Sequence, residues 1–493
     1  MEHLFEKLVR NGESDTYPCH MPGHKRNVWG DLPPQLCRMD ITEIEGFDNL
    51  HQPEGILLEL QKKAAVLCGA EESFYLVNGS TGGILTAVSA ALPEGGHILM
   101  ARNCHRSAYH AAYLRNLKIS YLYPDILDEY NILEAVTPDQ VRAALKKAPD
   151  IGAVLVVSPT YEGRIADIAA ISEAVHEKGI PLIVDEAHGA HLGLSREVHE
   201  NSCRQGADLV IQSVHKTLPA LTQTALLHVN GKLADRELVK RFLHIYQSSS
   251  PSYLLMASID NALHYIEKDG GRAFGEFRKQ YDRMLERLSQ CRVLRFLPAD
   301  RERQDLGKLL ISVKDAEMTG RQLYDTLLNS YRIQTEMAAE DFVLAMFTIN
   351  DRPEGYERMT AALLEIDGSL RGCKSPEDRK KQGNVFQGWL WPENPDAGGC
   401  TLTAAWDGNK EEVSLEESEG RLAGEFVNLY PPGIPLLVPG EKITKELCQR
   451  IHNWLQQGLT VQGVRLQEGE HLIQVLKMAE EQVCGSACVC EGL

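Results

Sequence analysis

Two short apolar runs end in side chains capable of covalent chemistry. Residues 181–184, Pro-Leu-Ile-Val, lead into Asp185 and Glu186, and residues 208–213, Asp-Leu-Val-Ile-Gln-Ser, lead through Val214 into His215 and Lys216. Runs of this kind, bounded by turn residues, read as buried strands of a parallel sheet. Both therefore deliver polar groups at strand C-termini, where open α/β sheets hold their ligands. A lysine at one strand end and a carboxylate at another are the two protein groups that pyridoxal 5'-phosphate (PLP) requires. The amine condenses with the cofactor aldehyde, and the carboxylate keeps the pyridine nitrogen protonated so that the ring accepts electrons. Lys216 is read as the first group and Asp185 as the second, although either alone would more often be a surface charge or a helix cap.

The neighbours of these residues carry the reading further. Ala187 and His188 follow Asp185, Ser213 and His215 precede Lys216, and Thr217-Leu218-Pro219 follow it. With this company the sequence resembles the fold-type I PLP enzymes, and within them the ornithine/lysine/arginine decarboxylase family. DEAHGAH at 185–191 and SVHKTLPALTQ at 213–223 are similar to that family's two central signatures. PCHMPGHKRN at 18–27 resembles the opening of its short form, which lacks the N-terminal wing domain of longer members. The similarity covers most of the chain, is poor over residues 372–410, and is strongest again at 430–441. It implies PLP-dependent α-decarboxylation of arginine, lysine or ornithine to agmatine, cadaverine or putrescine, with Lys216, His105 and Asp185 catalytic. Another fold-type I enzyme such as an aminotransferase, or a non-catalytic PLP-fold protein regulating a partner, is the alternative. An intact Lys216 and Asp185 weigh against the second.

Other stretches supply the rest of the expected cofactor site. Residues 73–77 read as a strand that runs into Asn78-Gly79-Ser80-Thr81-Gly82-Gly83 and then a helix built on Ile84, Leu85, Val88 and Leu92. Free backbone N–H groups and the positive helix end make such a turn an anion site, here the phosphate cup with Gly79, Ser80 and Thr81. The resemblance places His105 against the cofactor ring on the face opposite Ala187, and adds His188, Ser213 and His215 to the cofactor contacts. It also implies that residues 246–253 reach the phosphate of a neighbouring subunit, with Ser248, Ser249 and Ser250 as candidates, so a homodimer or higher homo-oligomer with shared sites is expected. Glu336 lies in a segment similar to one near the substrate and is the candidate partner for its distal cation, or else an exposed charge. The acidic stretch with Asp40, Glu43, Glu45 and Asp48 reads on charge alone as a solvated loop, while its similarity to the family implies an arm near a site that attracts a cationic side chain.

These groups must be positioned by an α/β architecture. Residues 151–157, a helix capped by Asp167 and stopped by Gly179, and the strand at 181 form a right-handed βαβ unit, so the central sheet is parallel and doubly wound. Residues 224–229 are expected as an antiparallel strand, as in fold-type I enzymes. The expected division is an N-terminal arm (1–57), a PLP-binding large domain (58–262), a smaller α/β domain (263–371), a connector (372–410) and a C-terminal decarboxylase domain (411–493). A chain of 493 residues is too long for one ordinary core.

Composition excludes several classes. The net charge of −18 leaves no basic excess for nucleic acid. No run approaches the roughly 20 apolar residues of a membrane helix, and residues 1–8 are charged where a signal peptide is apolar, so a cytoplasmic location is expected. The 12 cysteines are scattered as reduced thiols would be. Cys19, His20 and His24 lack a matching second pair, and Cys484, Cys488 and Cys490 lack a fourth ligand, so no metal is expected.

Overall fold

The apolar runs become strands buried by helices and by one another. In the computed structural model, which describes residues 3–28, 30–298, 303–370, 401–430 and 433–477, they are β1 (Glu72–Leu76), β2 (His97–Ala101), β3 (Lys118–Leu122), β4 (Ile126–Leu127), β5 (Ile132–Leu133), β6 (Ala153–Val157), β7 (Leu182–Asp185), β8 (Leu209–Gln212) and β9 (Ala225–Val229). All but the β4–β5 hairpin join one sheet in the order β1-β9-β8-β7-β6-β2-β3. Strands β8, β7, β6, β2 and β3 are parallel, and β9 runs antiparallel to both its neighbours, as expected. The register pairs Val157 with Asp185 and Asp185 with Ile211, which brings the C-terminal ends of β6, β7 and β8 side by side. Every residue of β7 and β8 is buried, so these strands are apolar throughout rather than alternating.

The glycine-rich segment differs from expectation in one respect. The helix Gly79–Ala91 already begins at Gly79, so Ser80 to Gly83 form its first turn instead of a loop before it. The first N–H groups of a helix have no intrahelical acceptor, so the anion-binding capacity stays in place. Close packing explains Gly83, where a Cβ would stand 2.7 Å from Leu76 Cδ1 and 2.9 Å from Ile211 Cγ2. The helix therefore lies directly on β1 and β8.

A helix of 36 residues, Tyr253–Leu288, runs straight through the expected division at 262/263. Its residues up to Phe274 pack with Leu57, Tyr75 and Val214 beside the seven-stranded sheet, and from Phe277 onward they join a second core. That second core belongs to the four-stranded antiparallel sheet β10-β11-β13-β12, made of β10 (Arg295–Phe296), β11 (Lys308–Ser312), β12 (Met337–Ala338) and β13 (Phe342–Met346). Helical periodicity continues unbroken while the packing partner changes, so no local signal marks the change.

The chain divides into two compact units, Met1–Trp389 and Leu390–Leu493, and everything above lies in the first. The second contains β14 (Lys410–Ser414), β15 (Val427–Leu429), β16 (Ile434–Leu437), β17 (Val461–Gln462), β18 (Val464–Gln467) and β19 (Glu470–Leu476), in sheets ordered β14-β19-β18 and β16-β15-β17. Pro435 sits in β16, an edge strand, where a missing N–H is tolerated. Most of the expected connector (371–400), two of the prolines in the 430–441 segment (431–432) and the tail with Cys484, Cys488 and Cys490 lie outside the described residues. Among the described residues no helix is long and apolar enough to cross a membrane.

Gly83→Val is expected to push the helix Gly79–Ala91 off β1 and β8 and to destabilise the protein by about 1–3 kcal/mol. A lowered thermal midpoint in calorimetry would register it, and an unchanged midpoint would contradict the packing described.

Candidate active site

Asp185 closes β7, and Lys216 lies in the single helical turn Val214–Thr217 that follows β8. The parallel register makes them neighbours. Asp185 is buried, and among the described residues its carboxylate accepts one hydrogen bond, from the Ala187 N–H at 3.1 Å. Burial pushes its carboxyl above the ordinary value while the charge of Lys216 pulls it back. Lys216 shows the converse, with burial lowering the amine against Asp185 and Glu336. Each charge offsets part of the other's desolvation.

Three histidines surround the amine, and the same surroundings keep each of them neutral. His105 caps the helix Arg106–Leu114, its Nδ1 accepting from the Ser107 N–H at 3.2 Å, so a neutral ring carries its proton on Nε2. Burial, followed by the charges of Lys216 and Arg106 and the His110 ring, pushes it down to about 4. His188 is buried, with Nε2 3.0 Å from Lys216 Nζ and its ring 4.9 Å from that of Tyr161 in an edge arrangement. Burial and then the charge of Lys308 hold it well below the usual imidazole range. His215 donates Nδ1–H to the Thr224 carbonyl at 2.8 Å, and burial lowers it as well. Its Nε2 can donate to an anion only when the ring is protonated, a state that a phosphate would itself favour.

The residues fit a phosphorylated pyridine aldehyde. Ser213 Oγ and Thr217 Oγ1, on either side of Lys216, are buried hydroxyls without a hydrogen-bond partner among the described residues. Buried hydroxyls in that condition are costly unless a ligand satisfies them. Gly79 and Ser80 are half-buried and Thr81 is exposed at the N-terminus of the helix Gly79–Ala91. Asp185, with one backbone donor and a raised pKa, has acceptor capacity left for a protonated ring nitrogen.

The other sequence-predicted residues fall into different places. Ala187 is buried beside Asp185. Glu336 is exposed, accepts a hydrogen bond from the Tyr161 hydroxyl, and acts electrostatically on both Lys216 and Lys308. Ser248, Ser249 and Ser250 are exposed, and the Ser248 carbonyl is bound by His51 at 2.7 Å. Asp48 has a structural task, accepting the N–H groups of Asn49, Glu54, Gly55 and Leu57 at 2.8–3.0 Å ahead of the helix Ile56–Cys68. Lys308 and Tyr161 were not foreseen. Lys308 opens the apolar run of β11, and a lysine there reads from the sequence as the edge of a strand rather than part of a site.

Known proteins are similar to this chain over nearly its whole length. The family model described as Orn/Lys/Arg decarboxylase, major domain, matches residues 3–300, and the model of that family's C-terminal domain matches residues 399–470. The chain is 32% identical to an arginine decarboxylase of Bacillus subtilis, covering 96% of this chain and 97% of that protein. It is 29% identical to an arginine decarboxylase of Bacillus anthracis, covering 97% of each. The crystal structure of a Francisella novicida lysine decarboxylase superposes with a TM-score of 0.82 at 16% identity, covering 96% of this chain and 81% of that one. At that identity the likeness is one of fold, a mostly parallel fold-type I sheet followed by smaller domains.

Next to Asp185, Glu186 fixes the strand ends. Its carboxylate accepts from the Ser202 N–H and hydroxyl at 2.9 and 2.7 Å and from Gln212 Nε2 at 2.7 Å, which joins the end of β7 to that of β8. Burial outweighs these donors and pushes Glu186 up to about 7. The folded state then holds a proton that the unfolded chain releases near its ordinary carboxylate value, so this contribution is complete at acid pH and is lost as pH rises toward 7. Glu186→Gln is expected to remove that dependence, so wild type should lose stability relative to the variant between the two values by up to about 1.4 kcal/mol per pH unit. Parallel urea melts across that range would refute this if the two proteins kept a constant difference.

Proposed function

The chain belongs to the Orn/Lys/Arg decarboxylase family, and from that membership we propose that it removes the α-carboxyl group of a basic amino acid as carbon dioxide, using PLP held by Lys216 and Asp185. The observation that carries the reading is a buried carboxylate, Asp185, and an amine, Lys216, brought together at neighbouring strand ends, with the amine 3.0 Å from His188 Nε2. Among arginine, lysine and ornithine, arginine is favoured, because the relatives that match nearly end to end and carry a named activity include arginine decarboxylases of Bacillus subtilis and Bacillus anthracis. Agmatine would be the product.

When bound, PLP supplies an aldehyde that condenses with amines and a ring that takes up the electron pair left by the departing carboxylate. Asp185 would hold the proton on the ring nitrogen, its raised basicity matched to a cationic partner. Lys216 would hold the aldehyde carbon, and burial lowers its pKa, which favours the free amine over the ammonium. His105 would line one ring face and Ala187 the other. With its proton fixed on Nε2 by Ser107, His105 can donate to the substrate without adding charge. Ser213 and Thr217, the N-terminus at Gly79, Ser80 and Thr81, and His215 would bind the phosphate, and His188 would hold Lys216. The Glu336 carboxylate, steadied by the Tyr161 hydroxyl, would face the distal cation of the substrate.

The exposed serines Ser248 to Ser250 support a homodimer in which this segment completes the phosphate site of a neighbour. A cytoplasmic location fits the reduced thiols and the metabolite-sized substrate.

Purified Lys216→Ala is expected to lose the visible absorbance of bound cofactor and all turnover. Carbon dioxide release from arginine, lysine and ornithine, each supplied separately without a keto acid, would identify the substrate, and retained turnover in the variant would overturn the assignment. Glu336→Gln should raise KM for the basic substrate by roughly five- to tenfold with a smaller change in kcat, the size expected for one exposed charge-assisted contact. A KM unchanged from wild type would remove Glu336 from the substrate site.

A further inference from the structure

Lys308 comes from the second sheet of the unit yet reaches the histidine that holds Lys216. Its side chain is buried, with Nζ 2.8 Å from His188 Nδ1, donating to Met346 Sδ at 3.4 Å and lying 5.4 Å from the centroid of the Tyr161 ring. The stem passes against Gly163, whose φ is +97° and where a Cβ would stand 2.7 Å from Lys308 Cγ. The backbone at this point is thus shaped to admit the lysine. Across the imidazole, His188 Nε2 is 3.0 Å from Lys216 Nζ. One histidine bridges two amines.

Hydrogen-bond inventory decides the state of this chain of groups. An ammonium has donors and no acceptor, so a protonated Lys308 obliges His188 Nδ1 to accept. The ring is neutral, and a neutral imidazole that accepts at Nδ1 carries its hydrogen on Nε2. That N–H faces Lys216 Nζ, where it finds an acceptor only if the amine presents a lone pair. An ammonium at Lys216 would oppose donor to donor.

We propose that Lys308 is a positioning residue that, through the tautomer of His188, keeps Lys216 in the free-amine form that captures the cofactor aldehyde. The inference rests on the reading of Lys216 as the cofactor-binding lysine. The groups facing Lys308 are His188, Tyr161, Met346, Asp305, Lys216, Glu336 and Glu162, and those facing His188 also include His105 and His215. Asp305 favours the Lys308 ammonium by its charge, but among the described residues the hydrogen-bonding neighbours of Nζ are His188 and Met346. Burial, opposed by Asp305, sets Lys308 at about 8. Below that value Lys308 is protonated and the tautomer is locked, in the range where a solvent-exposed lysine would be an ammonium. Above it the lock opens.

The test measures the basicity of Lys216 in the full-length protein freed of cofactor, by reductive methylation with formaldehyde and cyanoborohydride over a pH series, read by peptide mass spectrometry. Lys308→Met, which removes the buried charge at similar volume, is expected to raise the midpoint of Lys216 labelling by about one pH unit, seen as roughly tenfold slower labelling at neutral pH. In a His188→Phe background the same substitution is expected to produce no further shift. A Lys308→Met profile that superposes on wild type overturns the proposal, and so does a full shift in the His188→Phe background, which would mean that the charge acts through space. Should the variants fold poorly, nitrogen-15 spectra of histidine-labelled wild type carry the decision. His188 must appear as the Nε2–H tautomer at neutral pH, and the Nδ1–H tautomer refutes the mechanism. Neither readout involves turnover, so a failure here is separable from a failure of the Lys216→Ala test.

Discussion

A carboxylate buried at the end of β7 and an amine half-buried beyond the end of β8 would each be expensive alone, because burial disfavours the charged form of both. Placed on adjacent parallel strands, each lowers the cost of the other. The pairing of Asp185 with Ile211 across β7 and β8 sets the spacing, and Glu186 maintains it by binding Gln212 and Ser202 on the far side. The two acidic residues of a single dipeptide thus have different tasks. Successive side chains of a strand leave on opposite faces, so Asp185 serves the cavity and Glu186 the scaffold.

Around that pair the site uses histidines as fixed donors and acceptors rather than as charges. His105, His188 and His215 are all held below the usual imidazole range by burial and by neighbouring cations. In each case a neighbour determines which nitrogen carries the hydrogen: Ser107 for His105, the Thr224 carbonyl for His215, and Lys308 for His188. A cavity arranged in this way presents a defined pattern of hydrogen-bond groups to an anionic cofactor and a charged substrate.

Much of the fold was legible because its signals are local. The run before Asp185, the run before Lys216, the cap at Asp167 and the stop at Gly179 each depend on a handful of consecutive residues, and the structure places strands and a helix there. The start of the helix after β1 was misplaced by a few residues, since glycine permits both a turn and a first helical turn. The change of core between Phe274 and Phe277 was not legible at all, because an amphipathic helix keeps the same period whichever core it faces.

The sequence by itself determined which chemistry is available, since a lysine and an aspartate at strand ends follow from spacing along the chain, and the resemblance to a family adds the histidines. Tertiary structure alone decided which of those groups meet and in what protonation state. Lys308 touches a histidine 120 positions away, and the Tyr161 hydroxyl meets Glu336 across 175 positions. Contacts of that kind arise where two sheets of one unit approach, and they leave no periodic trace in the residues between. Burial, which sets the pKa of every group in the cavity, is likewise a property of the packed chain and not of any stretch of it.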